Sequence, residues 1–78
     1  MEALFNQATR TAELLQKRSP NGQLEMLDTA LDEGYATMEV DVGMRTLNWH
    51  GFTTIGGNDL QAISNWITAV ERQNGEAA

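Results

Sequence analysis

An α+β fold, with a two-stranded antiparallel hairpin packed against helices, follows from three features of the chain. Apolar residues recur at helical spacing before Gly34 and again from Leu60 to Val70. Residues 35–50 alternate between apolar and polar around Gly43. Ser19-Pro20-Asn21-Gly22, Gly34 and the glycines between 51 and 57 punctuate the joints. The expected architecture is an αββα core over residues 19–78, preceded by an additional amphipathic helix over residues 1–18.

The N-terminal helix, spanning about Glu2 to Arg18, carries Met1, Phe5, Ala8, Ala12 and Leu15 on one stripe, flanked by Leu4 and Thr11. Lys17 and Arg18 fall in its last turn, where cations suit the negative end of the helix dipole. Ser19 is a candidate N-cap for a second helix over Gly22–Glu33, with Pro20 acceptable in its first turn. Leu24, Leu27 and Leu31 form its inner stripe, supplemented by Met26 and Ala30, and Gly34 supplies a left-handed stop.

The alternation that follows places Ala36, Met38, Val40 and Val42 on one face and Tyr35, Thr37, Glu39 and Asp41 on the other. A second strand over Arg45–His50 carries Leu47 and Trp49 inward. A two-residue Gly43-Met44 turn of type II′ joins the two strands and sets the register. Val42 then pairs with Arg45, Val40 with Leu47, Met38 with Trp49, and Thr37 with an outward His50. Gly51–Gly57 reads as a loop. Asn58 caps a last helix with Leu60, Ile63, Ile67 and Val70 as its buried stripe, Trp66 widening that face and Gly75 ending it. Val40, Leu47, Trp49, Ile63 and Ile67 are expected to be buried together.

A chain of 78 residues has room for one modest core, and its lack of cysteine leaves neither disulfides nor thiolate metal ligands. Small cores of this kind are often completed by self-association or a partner. Eleven acidic residues against five basic ones give a net charge of -6, a field that disfavours general nucleic-acid binding. No basic leader with an apolar run is present and no stretch reaches the roughly 20 apolar residues of a membrane span, so a soluble protein is expected.

No constellation for catalysis, cofactor binding or metal binding emerges. His50, the only histidine, lacks a partner nucleophile and the further ligands that zinc requires, and reads as a solvated strand residue. Gly56-Gly57 ahead of a helix has neither a phosphate-binding lysine nor a serial glycine fingerprint, and an aspartate follows. The methionines and the two tryptophans read as core. An enzyme is therefore not expected.

Charge is unevenly spread. Residues 19–42 hold six acids and no base, whereas residues 1–18 hold two acids and three bases. Glu25, Asp28, Asp32, Glu39 and Asp41 could present a phosphate-mimicking surface to a basic protein, or could simply be solvated. The same asymmetry could let the basic end of one subunit meet the acidic middle of the next.

From Leu24 to Gly75, 52 of 78 residues, the chain resembles the W-type (gpW-like) head-to-tail joining proteins of tailed bacteriophages. The resemblance is carried by LEMLDTALDEG, the hairpin TMEVDVGMRTLNW and DLQAISNWITAVERQNG. The first helix, the long loop before the last helix and the acidic balance depart from that family. The resemblance implies a virion protein that forms a ring at the portal vertex, contacts neighbouring virion proteins without enzymatic activity, and passes from the host cytoplasm into the particle. The surfaces expected to carry these contacts are the first helix through Leu4, Phe5, Ala8 and Leu15, and the outward hairpin and loop around Asp41, His50 and Phe52. The alternative function is a small acidic phage inhibitor that blocks a basic groove with Glu25, Asp28, Asp32, Glu39 and Asp41.

Overall fold

The computed structural model describes the backbone of residues 2–77 and the side chains of residues 7–73. In chain order it contains α1 (Glu2–Gln16), α2 (Pro20–Glu33), β1 (Ala36–Asp41), β2 (Met44–Trp49), β3 (Phe52–Gly56) and α3 (Asp59–Ala77). The expected α+β class holds, but the sheet has three antiparallel strands in the order β1-β2-β3 instead of two. The helices cover one face of this sheet. Along the opposite face Thr37, Glu39, Asn48, Thr53 and Ile55 stand in solvent.

The extra strand occupies the segment read as a loop. Glycine and threonine suggest irregular chain, yet threonine is β-branched and suits a half-exposed strand. Phe52 and Thr54 face the helices while Thr53 and Ile55 alternate outward. The connection from β2 is a two-residue turn in which His50 and Gly51 both adopt left-handed backbone, φ 52° and 82°. Positive φ at both central positions is the type I′ signature. Histidine, although among the residues enriched in that region, is a weaker signal there than asparagine.

The first hairpin closes one position earlier than expected, through Val42 and Gly43, with Gly43 at φ 68°. Asp41 therefore pairs with Met44, Val40 with Arg45, Met38 with Leu47 and Ala36 with Trp49. Each strand partner moves by two residues, so every side chain keeps its expected face while its neighbours change. The slide sets the Trp49 indole opposite the small Ala36 and carries Val40 beyond the helices, where it is 68% exposed. His50, expected on the outward face opposite Thr37, sits in the turn instead, and Thr37 pairs with Asn48.

The caps behave as their residue types dictate. Ser19 Oγ accepts from the Gly22 amide at 3.3 Å, with Pro20 in the first turn of α2. Gly34 ends α2 at φ 83°, and the Tyr35 amide returns to the Ala30 carbonyl at 2.8 Å. Asn58 Oδ1 accepts from the Gln61 amide at 2.8 Å, and Gln61 Oε1 reaches back to the Gly57 amide at 2.6 Å. α3 does not stop at Gly75 but continues to Ala77.

One apolar cluster joins all three helices to the sheet. It contains Ala8, Ala12 and Leu15 of α1, Leu27 and Ala30 of α2, Ala36, Leu47 and Trp49 of the sheet, and Ala62, Ile63, Trp66 and Val70 of α3. Ala8, Ala12 and Leu15, the described part of the α1 stripe assigned by sequence to a neighbouring subunit, are instead turned into the chain's own core. Three-stranded cover leaves α3 a face that α1 completes, and Gln16 Nε2 donates to Glu71 Oε2 at 2.7 Å across that junction. Ile67 is half-buried and packs against the cluster, whereas Leu60 is exposed. Among the described residues no helix is long and apolar enough to cross a membrane.

Candidate docking surfaces

The two ends of the β1–β2 hairpin present different chemistry. At the tip, β1 and β2 run past the helices, and the two-residue turn lifts Val42 to 94% exposure with Val40 and Met44 beside it. Ile55 is exposed nearby on the open face of β3, and Leu60 is exposed at the start of α3 on the helix side. Acids flank it. Glu39 and Asp41 are exposed on the open sheet face, and Asp41 Oδ1 accepts from the Val42 amide at 2.7 Å, stiffening the turn. The nearby cation Arg45 is engaged with Asp59, Nε to Oδ1 at 2.6 Å. The tip therefore offers apolar surface framed by carboxylates that, among the described residues, have no ion-pair partner.

At the base, the I′ turn points His50 towards α1. Its Nε2 lies 3.1 Å from Thr11 Oγ1, and its ring centroid is 6.1 Å from Trp49 and 6.4 Å from Trp66. The two indoles stack at 5.1 Å, and Trp66 Nε1 donates to the Trp49 carbonyl at 2.9 Å. This fixes the turn from below, which is how a left-handed histidine is held in place. Partial burial disfavours the imidazolium and pushes the His50 pKa below its ordinary value. His50 is thus a packed, bonded turn residue and not the solvated strand residue that the sequence suggests.

Above His50 lies an open groove of about 400 Å³ between α1 and α2, lined by Thr11, Arg18, Met26, Thr29, Tyr35 and His50. Arg18 reaches it because Gly22 has no side chain, and a Cβ there would come within 3.1 Å of the Arg18 Cβ. A smaller extension on the α1 side, about 300 Å³, is bordered by Arg10, Leu14 and Tyr35, the last two being exposed apolar side chains. Glu25 stands on the α2 wall of the groove.

The residues assigned from sequence scatter across this geometry. The side chains of Leu4 and Phe5 lie outside the described residues. Ala8 and Leu15 are fully buried and offer no contact surface, because α1 packs inward. Asp41 and His50 stand at opposite ends of a six-residue strand, about 20 Å apart at the usual rise per residue, and do not form one surface. Phe52 is half-buried, edge-on to Trp66 at 6.4 Å. Glu25, Asp28 and Asp32 are exposed on α2, while Glu39 and Asp41 lie on the open sheet face, so the five acids divide between two faces. Sequence reasoning missed Val40, Val42 and Met44 as surface and Arg18 with Tyr35 as groove residues. The signal available for the tip was an apolar run continuing into a turn, with acids alternating through it.

Among the described residues no three His, Asp or Glu side chains come together in a way that could hold a metal ion. No protein-family model, no curated protein and no solved structure matches this chain.

Proposed function

We propose that this protein works by macromolecular contact and not by catalysis, as a phage or prophage virion component of the head-to-tail connector type. The observation that carries the contact reading is the hairpin tip. Val40, Val42 and Met44 are held in water on a stiff turn by a chain whose core is otherwise well covered. Large apolar side chains exposed together at one end of a sheet mark an interaction site. The helix–hairpin–helix order from Leu24 onward, through which the chain resembles the W-type joining proteins, supplies the connector assignment; β3 and α1 are additions to that pattern.

The test is made on particles from the strain that encodes the chain. The protein should be found by mass spectrometry in purified tailed virions, and Val42→Asp should leave filled heads unjoined to tails. Absence of the chain from purified particles would sink the assignment.

The second reading, an acidic inhibitor, draws on the exposure of Glu25, Asp28 and Asp32 along one helix. Reversing these three to lysine should then abolish binding to a basic nucleic-acid-binding protein while the domain stays folded. Retained binding by the triple variant would reject the mimic.

A further inference from the structure

Among the described residues the large exposed apolar side chains fall into two groups. Val40, Val42, Met44, Ile55 and Leu60 lie at the tip end of the sheet, and Leu14 and Tyr35 lie at the base. The charges sort in the opposite sense. Glu39 and Asp41 frame the tip, and Arg45 there is taken up by Asp59. Of the five basic residues, Arg10, Lys17 and Arg18 belong to α1 and its end; Arg18 lines the base groove and Arg10 borders its extension. Among the described residues lining that groove Glu25, on α2, is the single acid.

We propose that the hairpin tip of one copy of this chain docks in the base groove of the next, Val42 and Met44 entering between α1 and α2 while Glu39 and Asp41 meet Arg10 and Arg18. This rests on reading the tip as a docking element and names its partner as a second copy. The groove volume of about 400 Å³ falls within the range of built pockets, roughly 300–1,000 Å³. Its apolar lining of Met26, Tyr35 and Trp49 suits aliphatic side chains. Arg10 stands on α1 beside the groove and Arg18 at the joint of α1 and α2, its stem over Gly22, so the incoming acids have cations to face along that edge. Asp41 keeps Oδ2 available while Oδ1 holds the turn amide.

Geometry then limits the kind of assembly. Tip and groove occupy opposite ends of the same hairpin, so each copy uses one patch to give and another to receive. Two copies can exchange tips about a two-fold axis, or the contact can propagate head to tail and close into a ring when the rotation allows.

The test uses two variants that disable opposite ends. Val42→Asp spoils the tip and leaves the groove, whereas Arg18→Glu combined with Thr29→Glu spoils the groove and leaves the tip. All three positions are exposed or turn residues, and a cooperative thermal transition in each variant establishes folding; Met44→Asp serves as a second tip variant. By sedimentation equilibrium the wild-type chain should grow beyond its 8.6 kDa monomer with concentration, and less so at high salt. Each variant alone should weaken association by roughly tenfold or more. Mixed in equal amounts, the two should form a 1:1 dimer that grows no further, since one good tip and one good groove remain. A wild-type chain that stays monomeric, or a mixture that fails to pair, overturns the proposal. If Val42→Asp still abolishes head-to-tail joining in particles, the tip contacts a different virion protein and the connector reading survives without self-docking.

Discussion

The base and the tip of the β1–β2 hairpin are made of similar residues and end in opposite environments. At the base Ala36, Leu47 and Trp49 lie beneath the helices; at the tip Val40, Val42 and Met44 lie in water. Alternation along the strands is the same at both ends. What differs is the reach of the covering layer. α3 packs along β3 and β2 and buries Ile63 and Trp66 against the base, but at its first turn Leu60 is already exposed and Arg45 and Asp59 form a charged margin. Binary patterning therefore specifies which face of a strand is apolar and leaves open how much of that face the rest of the chain covers.

Substitutions can break this comparison. Trp66→Ala removes the indole that stacks on Trp49 and bonds its carbonyl, and should cost about 3–5 kcal/mol in denaturant unfolding. Val42→Ser at the tip should change stability by less than about 0.5 kcal/mol. Similar losses at the two positions would refute the division into core base and free tip.

A smaller effect is expected at Gly56, the buried end of β3. A Cβ there would lie 2.4 Å from the Ala62 amide nitrogen and 2.8 Å from its Cα, both backbone atoms of α3. Gly56→Ala must push the helix from the sheet, at a cost of about 1–3 kcal/mol. A neutral substitution by the same unfolding measurement would show that α3 is not seated this closely.

Thr11→Val should cost about 0.5–1.5 kcal/mol, because it deletes a hydroxyl that meets His50 between α1 and the turn. The pH response at His50 is weaker still. Its pKa is lowered in the folded chain by burial, so folding favours the neutral ring. The unfolded chain binds the proton more readily. The contribution is thus complete above the ordinary value of 6.5 and is lost as pH falls through the lowered folded value. Replacing His50 with asparagine, which tolerates left-handed backbone, should flatten the fall of thermal stability below that pH; an unchanged slope would assign the response to other groups.

Much of the fold was legible because local chemistry decided it. Ser19, Gly34 and Asn58 punctuate the helices as their side chains dictate, and the 3.6 spacing of Ile63, Trp66 and Val70 marked a buried face. β3 was hidden because its turn uses histidine where asparagine is the usual signal, and because Gly56 is there for close approach of α3 and not for a loop. The register slipped by two because either Val42-Gly43 or Gly43-Met44 can close the hairpin, and the choice depends on fitting Trp49 against Ala36. The docking surfaces were the least legible. An apolar stripe reads alike whether it meets the chain's own helices or another protein, so Ala8 and Leu15 were placed outside and Val40 inside, the reverse of the structure.

The most direct test of the account is a concentration series of amide spectra of the isotopically labelled chain, from micromolar to millimolar. The resonances of Val42, Gly43 and Met44 should shift together with those of Thr11, Thr29, Tyr35 and His50, following one binding curve, while Leu47, Ile63 and Trp66 stay fixed. Shifts confined to the open sheet face or to α2's acidic side, or no shifts across the series, would contradict it.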